Sequence, residues 1–287
     1  MKIHPFKIPK NSEASFDIQV EHGAHLYDFL HNHQELQFTL LVQSSGTLFI
    51  GEYVGDFNDE DMFIIGSNVP HLFKNDQEHY EQKDLKAHSI HIFFDQQVLG
   101  NDFLKLPEVK EIQYFFQLTR RCLKVKGETK AILVPLFHQI PKEKGFKKML
   151  MLFQILEILS QSDELEVLSY ENMDKEVNEN EGKRLNDIFQ FTFKEYHREI
   201  SLKEASGIVH MTPSSFCRFF KQRTRKTYLD FLTEIRISNA CKLLLQKKYS
   251  ITEICFLSGF NNVSNFNRKF KRFMGMNPST YTKVHRV

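Results

Sequence analysis

Two stretches of this chain, about fifty residues apart, carry the same pattern, and that repetition restricts the fold more than any other feature. The first, SLKEASGIVHMTPSSFCRFFKQRTRKTYLDFL, starts at Ser201. The second, SITEICFLSGFNNVSNFNRKFKRFMGMNPSTYT, starts at Ser250. Phe216, Arg218, Phe220 and Lys221 recur as Phe266, Arg268, Phe270 and Lys271. Both copies open with S-x-x-E, which predicts a capping box at each: Ser201 or Ser250 accepts from a backbone N–H, and Glu204 or Glu253 reaches back. A short apolar helix, a turn and a second helix with a basic end follow in each copy. That is the layout of a helix-turn-helix, predicted at about 201–222 and 250–273.

The second helix of each unit has two unlike faces. In the first, Thr212 is the predicted N-cap and Pro213 suits the first helical position. Phe216, Phe219 and Phe220 share one face, leaving Ser214, Ser215, Cys217, Arg218 and Lys221 on the other. In the second, Gly259 falls in the turn and Asn261 or Asn262 caps. Phe266, Phe270 and Phe273 face inward, while Val263, Ser264, Asn265, Asn267, Arg268 and Lys271 face out. Between the copies, Leu229, Leu232, Ile235, Ile237, Ala240, Cys241, Leu244 and Leu245 give an apolar surface to a helix of about twenty residues. Such a helix spans roughly 30 Å, close to the 34–36 Å of one DNA turn.

Charge agrees with this reading. From Lys183 to Val287 there are 20 Lys and Arg against 7 Asp and Glu, a local net of +13; the remaining 18 basic and 29 acidic residues give the first 182 a net of −11. A basic third on an acidic two-thirds suggests a polyanion-binding unit joined to a region that does not touch the polyanion. An α-helix fits the DNA major groove, where Arg can pair with guanine and Asn with adenine. Lys and Arg at helix ends neutralise phosphates without reading sequence. The expected partner is double-stranded DNA.

The acidic two-thirds reads differently. LQFTLLVQSSGTLFIG, DMFIIGS and HSIHIFF are apolar or alternating runs followed by breakers, which predicts an all-β barrel or sandwich over about 16–98. From about 107 to 160 the period becomes helical, in EVKEIQYFFQLTRRCLKV and GFKKMLMLFQILEILSQS. In the latter, Met149, Leu150, Leu152, Phe153, Leu156 and Leu159 form a wide apolar face that could cover the barrel or a second copy of the chain. Residues 161–182 carry eight acidic residues and one Lys, and are read as a solvated linker. The cysteines at 122, 217, 241 and 255 have no CxxC spacing, so free thiols in a reducing cytoplasm are expected. No apolar run approaches the roughly 18 residues of a membrane helix, and the first residues lack a signal-peptide core. No nucleophile constellation, phosphate loop or HExxH motif points to an enzyme.

Residues 183–287 resemble the AraC/XylS family of bacterial transcription regulators. ISLKEASGIVHMTPSSFCRFFKQRTRKTYLDFLTEIRISNACKLLL and SITEICFLSGFNNVSNFNRKFKRFMGMNPSTY carry the resemblance, the second most specifically. It implies that each recognition helix enters a major groove, with base contacts from Ser214, Cys217 and Arg218, then Val263, Ser264, Asn267 and Arg268. Arg225 departs from the family pattern, standing where Gly275 stands in the second copy. The N-terminal half resembles the cupin-like sensor domain common in this family, through HNHQELQF and VPHLFKND. The implied architecture is an α+β multidomain chain. It has a cupin-like barrel with helices (1–160), a linker (161–182) and an all-α domain of two helix-turn-helix units (183–287).

His31, His33 and His71 match the metal-binding histidines of metal cupins, but Gln37 stands in place of the ligand Glu. A neutral amide is a weaker ligand than a carboxylate, so no metal is expected. The implied alternative is a small-molecule effector pocket lined by His31, His33, Gln37 and His71, with His88 and His91 as ordinary barrel residues. The reading is a ligand-responsive transcription activator with RNA polymerase as a partner and a possible homodimer. A metal-dependent cupin enzyme fused to a DNA-binding module is the rival.

Overall fold

A computed structural model describes residues 15–82, 84–100, 102–169 and 179–285. The chain divides into two compact units, Met1–Glu179 and Asn180–Val287.

The N-terminal unit is sheet-rich. Its strands are β1 (Phe16–Gly23), β2 (Leu36–Gln43), β3 (Gly46–Ile50), β4 (Tyr53–Phe57), β5 (Met62–Ile65), β6 (His71–Asn75), β7 (Ala87–Phe94), β8 (Leu123–Val125) and β9 (Leu165–Val167). Its helices are α1 (Glu78–Glu81), α2 (Lys110–Thr119), α3 (Gly127–Gln139) and α4 (Gly145–Ser160). The strands form a six-stranded sheet in the order β1-β7-β2-β5-β8-β9 and a three-stranded sheet β4-β3-β6. Every pairing is antiparallel. Among the described residues the two ladders do not close on one another.

Strand alternation sets the layers. Leu36, Phe38 and Leu40 of β2, Met62 and Ile64 of β5, and Ile90, Ile92 and Phe94 of β7 join one core with Phe115 of α2 and Met151, Leu152, Ile155, Leu156 and Leu159 of α4. Thus α4 covers its own sheet, while Phe146 and Leu150 stay exposed. On the opposite face, Leu41, Phe63 and Ile65 pack with Leu48, Ile50, Phe57 and Phe73 of the small sheet. The same interior face carries Gln37, Thr39, Ser89 and His91, all buried.

Two boundaries differ from the sequence expectation. The helix expected over 108–125 ends at Thr119; Cys122 takes a positive φ of 46°, and the chain then enters β8. The segment at 161–169 is no linker, because β9 pairs with β8 through Leu165–Val125 and Val167–Leu123. The linker reading at 170–178 lies outside the described residues. These strands escape a pattern search because three residues give no run of alternation. Tertiary partners specify them instead: Leu123 and Val125 are buried, and Lys124 pairs with Asp61 at 2.8 Å.

The C-terminal unit is all-α: α5 (Glu179–Glu195), α6 (Leu202–Ile208), α7 (Pro213–Thr224), α8 (Tyr228–Gln246), α9 (Ile251–Leu257), α10 (Val263–Met274) and α11 (Pro278–Val284). The first half is built on aromatic contacts. Phe189 of α5 lies 4.7 Å from Phe231 between ring centroids, Phe220 5.3 Å from Phe231, and Phe216 5.2 Å from Tyr228. Ring pairs at such distances add about 0.5–1.5 kcal/mol beyond area burial. In the second half, Phe260, Phe266 and Phe270 pack on Ile237, Ala240, Cys241 and Leu244 of α8. Helix α8, at 19 residues and about 28 Å, therefore serves both halves. All four cysteines are free thiols, and Cys217 alone among them is exposed.

Candidate nucleic-acid interface and interior histidine cluster

Helices α7 and α10 each start on a side-chain cap. Thr212 Oγ1 accepts from the Ser215 N–H, with Pro213 at the first helical position. Asn262 Oδ1 accepts from the Asn265 N–H at 2.9 Å, so Asn262 rather than Asn261 caps α10. Each helix ends on a residue in the left-handed conformation, Arg225 (φ 59°) after α7 and Gly275 (φ 71°) after α10. Phe216 and Phe220, and Phe266 and Phe270, are buried without remainder, while Phe219 and Phe273 are half-buried. Burying such side chains stabilises by about 1.5–3 kcal/mol each, and their placement fixes which residues face out.

The outward faces hold most of the residues singled out from the sequence. Ser214, Cys217, Arg218 and Lys221 are exposed on α7, with Ser215 intermediate; Ser264, Asn267, Arg268 and Lys271 are exposed on α10, with Asn265 intermediate. Val263 departs from its expected outward placement: it is half-buried and packs against the second core. An apolar side chain within reach of that core gains more from burial than from water. Arg268 Nη2 donates to Asn265 Oδ1 at 2.9 Å, which holds its guanidinium along the exposed face. Two residues beyond the expected set join the first unit: Gln222 and Arg225 line an open cleft with Arg218 and Lys221. Their basic and amide character was visible in the sequence, but the left-handed turn that swings Arg225 beside Arg218 was not.

The turns differ between the units. Gly259, at φ +82°, lies so close to α5 that a Cβ would fall 2.1 Å from the Tyr196 carbonyl oxygen. Arg236 of α8 donates to the same oxygen at 2.8 Å and to the Arg198 carbonyl at 2.6 Å, tying the end of α5 to α8. In the first unit His210 takes the equivalent positive φ, 55°. The capping boxes differ too. Ser250 and Glu253 make both reciprocal bonds. Ser201 accepts from the Glu204 N–H, but Arg198 takes the Glu204 carboxylate and, by donating to it, holds that carboxyl below the usual range.

A helix-turn-helix domain family model matches residues 205–283, spanning both units and the helix between them. The C-terminal domain thus carries a helix-turn-helix domain over these residues. Relatives of this domain include the uncharacterized HTH-type transcriptional regulator YdeC of Bacillus subtilis, 29% identical over 102 residues, 36% of this chain and 35% of YdeC. The HTH-type transcriptional regulator GlxA of Rhizobium meliloti is 33% identical over 83 residues, 29% of this chain and 26% of GlxA. The chain thus covers about a third of the length of such relatives. Among solved structures, the C-terminal domain of the response regulator yesN of Fusobacterium nucleatum is 26% identical over 35% of this chain and 96% of that one, at a TM-score of 0.33. No helix among the described residues is long and apolar enough to cross a membrane.

The sheet-rich unit brings its expected pocket residues together. His31 and His71 form an isolated bridge, each donating its N–H to the other's carbonyl at 3.1 and 2.9 Å. The ring centroids of His31 and His71 are 4.2 Å apart, and those of His33 and His71 5.1 Å. Gln37 Oε1 lies 2.9 Å from His33 Nε2, and Gln37 Nε2 donates to Thr39 Oγ1 at 2.8 Å and lies 3.0 Å from His91 Nδ1. His91 therefore belongs to this network, against its reading as an ordinary strand residue; it is buried between Thr39, Ser89 and Gln37. Its signal was parity, since His91 alternates with Ile90 and Ile92 and must face away from the helices. His88 does not join them: it stacks on His22 at the sheet's edge pair. Burial lowers the imidazole pKa values, of His31 to about 4 and of His91 to about 3, and that of His33 and of His71 as well. These rings are neutral at pH 7. A narrow interior space of about 20 Å³ opens beside them, lined by Glu21, Tyr27, His31, Gln37, His91 and Phe93 among others.

Proposed function

We propose that this chain is a sequence-specific DNA-binding transcription regulator that acts in the cytoplasm as a ligand-responsive activator. The observation that carries the reading is the duplicated helix with a polar outward face, α7 and α10, on a segment of net charge +13. Ser214, Ser215, Cys217, Arg218, Lys221, Asn265, Ser264, Asn267, Arg268 and Lys271 supply the groove-facing and phosphate-facing groups; Val263 contributes at the edge of its core contact. The match of residues 205–283 to a helix-turn-helix domain supports it, as do relatives named as HTH-type transcriptional regulators. In this reading the N-terminal unit is a cupin-like sensor, its two packed sheets enclosing the pocket of His31, His33, Gln37 and His71. RNA polymerase is the partner through which bound protein changes transcription. The exposed Phe146 and Leu150 of α4 offer a surface for homodimer formation.

The deciding measurement is binding of purified protein to the DNA upstream of its own gene at several salt concentrations. Affinity should fall steeply with salt, log K declining by about 0.9 per phosphate neutralised, and unrelated DNA should bind far more weakly. Equal binding to both, or none, removes the reading.

A further inference from the structure

The run from Lys221 to Lys226, KQRTRK, divides its cations between two uses. Arg223 pairs with Glu181 of α5, and Lys226 pairs with Glu234 of α8 at 2.6 Å. These two charges are neutralised within the protein. Lys221 and Arg225 are exposed instead, and with Arg218 and Gln222 they line an open cleft of about 490 Å³ with basic and amide groups. Spacings of three and four residues put 218, 221, 222 and 225 on one stripe, which continues the outward face of Ser214 and Cys217. The turn that brings Arg225 into line is held by local bonds. The Arg225 N–H donates to the Lys221 carbonyl at 2.9 Å, and Thr224 Oγ1 donates to the carbonyls of Phe220 at 2.8 Å and Lys226 at 3.2 Å. The second unit makes the same left-handed turn with Gly275, which has no side chain to place there. An arginine in that conformation is strained, and strain retained in a fold points to a use for the side chain.

Helix length decides where this cleft meets DNA. Helix α7 has 12 residues and is therefore about 18 Å long, whereas the major groove is about 12 Å wide. A recognition helix whose first turn reaches base edges carries its last turn out to the sugar-phosphate wall. That end of a helix is the negative end of its dipole, so an anion there needs cationic side chains to hold it. Lys221 and Arg225 supply that charge, with Arg218 behind them. We propose that Lys221, Gln222 and Arg225 clamp one backbone phosphodiester of DNA at the wall of the groove that α7 enters. Arg218 stands between that phosphate and the bases. The clamp rests on the regulator reading and deepens it: the first unit anchors the chain without sequence preference, at a turn where the second unit has only glycine.

The test measures binding of the full chain to its upstream DNA and to unrelated DNA across salt concentrations, with and without Arg225→Gly. That variant gives the first unit the residue the second already has at this turn, and its helical signal should be unchanged. The slope of log K against log salt should fall by about 0.9, and affinity near 0.1 M salt should drop about fivefold to tenfold on both DNAs. Neutral methylphosphonate linkages placed singly along the upstream site add a second readout. One of them should cost the unaltered protein as much as Arg225→Gly does, and cost Arg225→Gly nothing further. Should Arg225→Gly fail to fold, Arg225→Gln, which keeps a long side chain without the charge, repeats both measurements. An unchanged slope in the folded variant overturns the clamp. A loss confined to the upstream DNA also overturns it, because that marks a base contact. Inorganic phosphate, titrated by calorimetry, separates a free anion from the DNA backbone. Binding of it that Arg225→Gly abolishes while the DNA slope stays assigns the cleft to a free anion and overturns the clamp. DNA binding with an unchanged slope sinks only the clamp, whereas no DNA binding by the unaltered chain sinks the regulator reading and the clamp together.

Discussion

The two helix-turn-helix units share one plan and differ in nearly every detail outside their phenylalanines. Phe216 and Phe220 repeat as Phe266 and Phe270, all buried, because those positions face the same shared helix α8. The turns, caps and outer faces do not repeat. The second unit uses Gly259 and Gly275 where the first has His210 and Arg225, and its outer face is rich in Asn where the first has Ser, Cys and a cleft of Arg218, Lys221, Gln222 and Arg225. Duplication preserved what packing demands and released what solvent or a partner decides. On the proposed regulator reading, the two faces would read different sequences.

The strongest way to test that the cores are equivalent is to hollow each one. Phe270→Ala and Phe220→Ala should each cost about 3–5 kcal/mol, followed by urea denaturation of the helical signal. Because α8 serves both halves, either change should shift one shared transition; two separate transitions would show that the units fold independently.

Glycine substitutions then separate the turns. Gly275→Ala meets open space and should cost about 1–2 kcal/mol for its left-handed backbone. Gly259→Ala adds a Cβ placed 2.1 Å from the Tyr196 carbonyl oxygen, so it should cost clearly more than Gly275→Ala. Equal losses would mean that the end of α5 yields freely.

On the DNA side, Arg268→Ala should lose about 1–3 kcal/mol at a specific site if it pairs with a guanine, and Lys271→Ala should lower the salt slope by about one. Arg218→Ala gives the matching measurement for the first unit, and its loss should map to a different half of the site. A loss confined to one half for both variants would break the two-head arrangement.

Caps rank next. Ser250→Ala and Ser201→Ala should each cost about 0.5–2 kcal/mol in thermal unfolding. Added salt should shrink the effect of Glu204→Ala, which breaks the pair with Arg198, and leave that of Ser201→Ala in place. The smallest effect is expected at Arg225→Gly. Relief of the left-handed strain is offset in part by glycine's greater freedom when unfolded, leaving a gain of about 0.5 kcal/mol. DNA affinity should fall with the lost charge.

The sequence was most legible where periodicity and position coincide. The phenylalanine spacing, the caps at Thr212 and Ser250 and the outer polar faces of α7 and α10 could be read residue by residue. Helix period and local side-chain-to-backbone bonds span only a few residues. Choices made between distant segments were not legible. β8 and β9 exist because Leu123 and Val125 find an edge at Met62–Ile64 and then offer one to Leu165–Val167. Val263 turned inward because the core lay within reach.

The sequence alone thus determined a basic helical domain with two matched helix-turn-helix units and a sheet-forming, histidine-bearing region before it. Only the tertiary structure decided that His91 joins His33 through Gln37, that His31 and His71 meet in an isolated bridge, and that Gly259 has no room for a side chain. Those facts depend on groups up to 63 residues apart that meet only when the strands and helices pack, as Gly259 meets Tyr196. A local pattern carries no record of such meetings, because their energies arise from excluded volume and shared hydrogen bonds that exist only after the chain has closed.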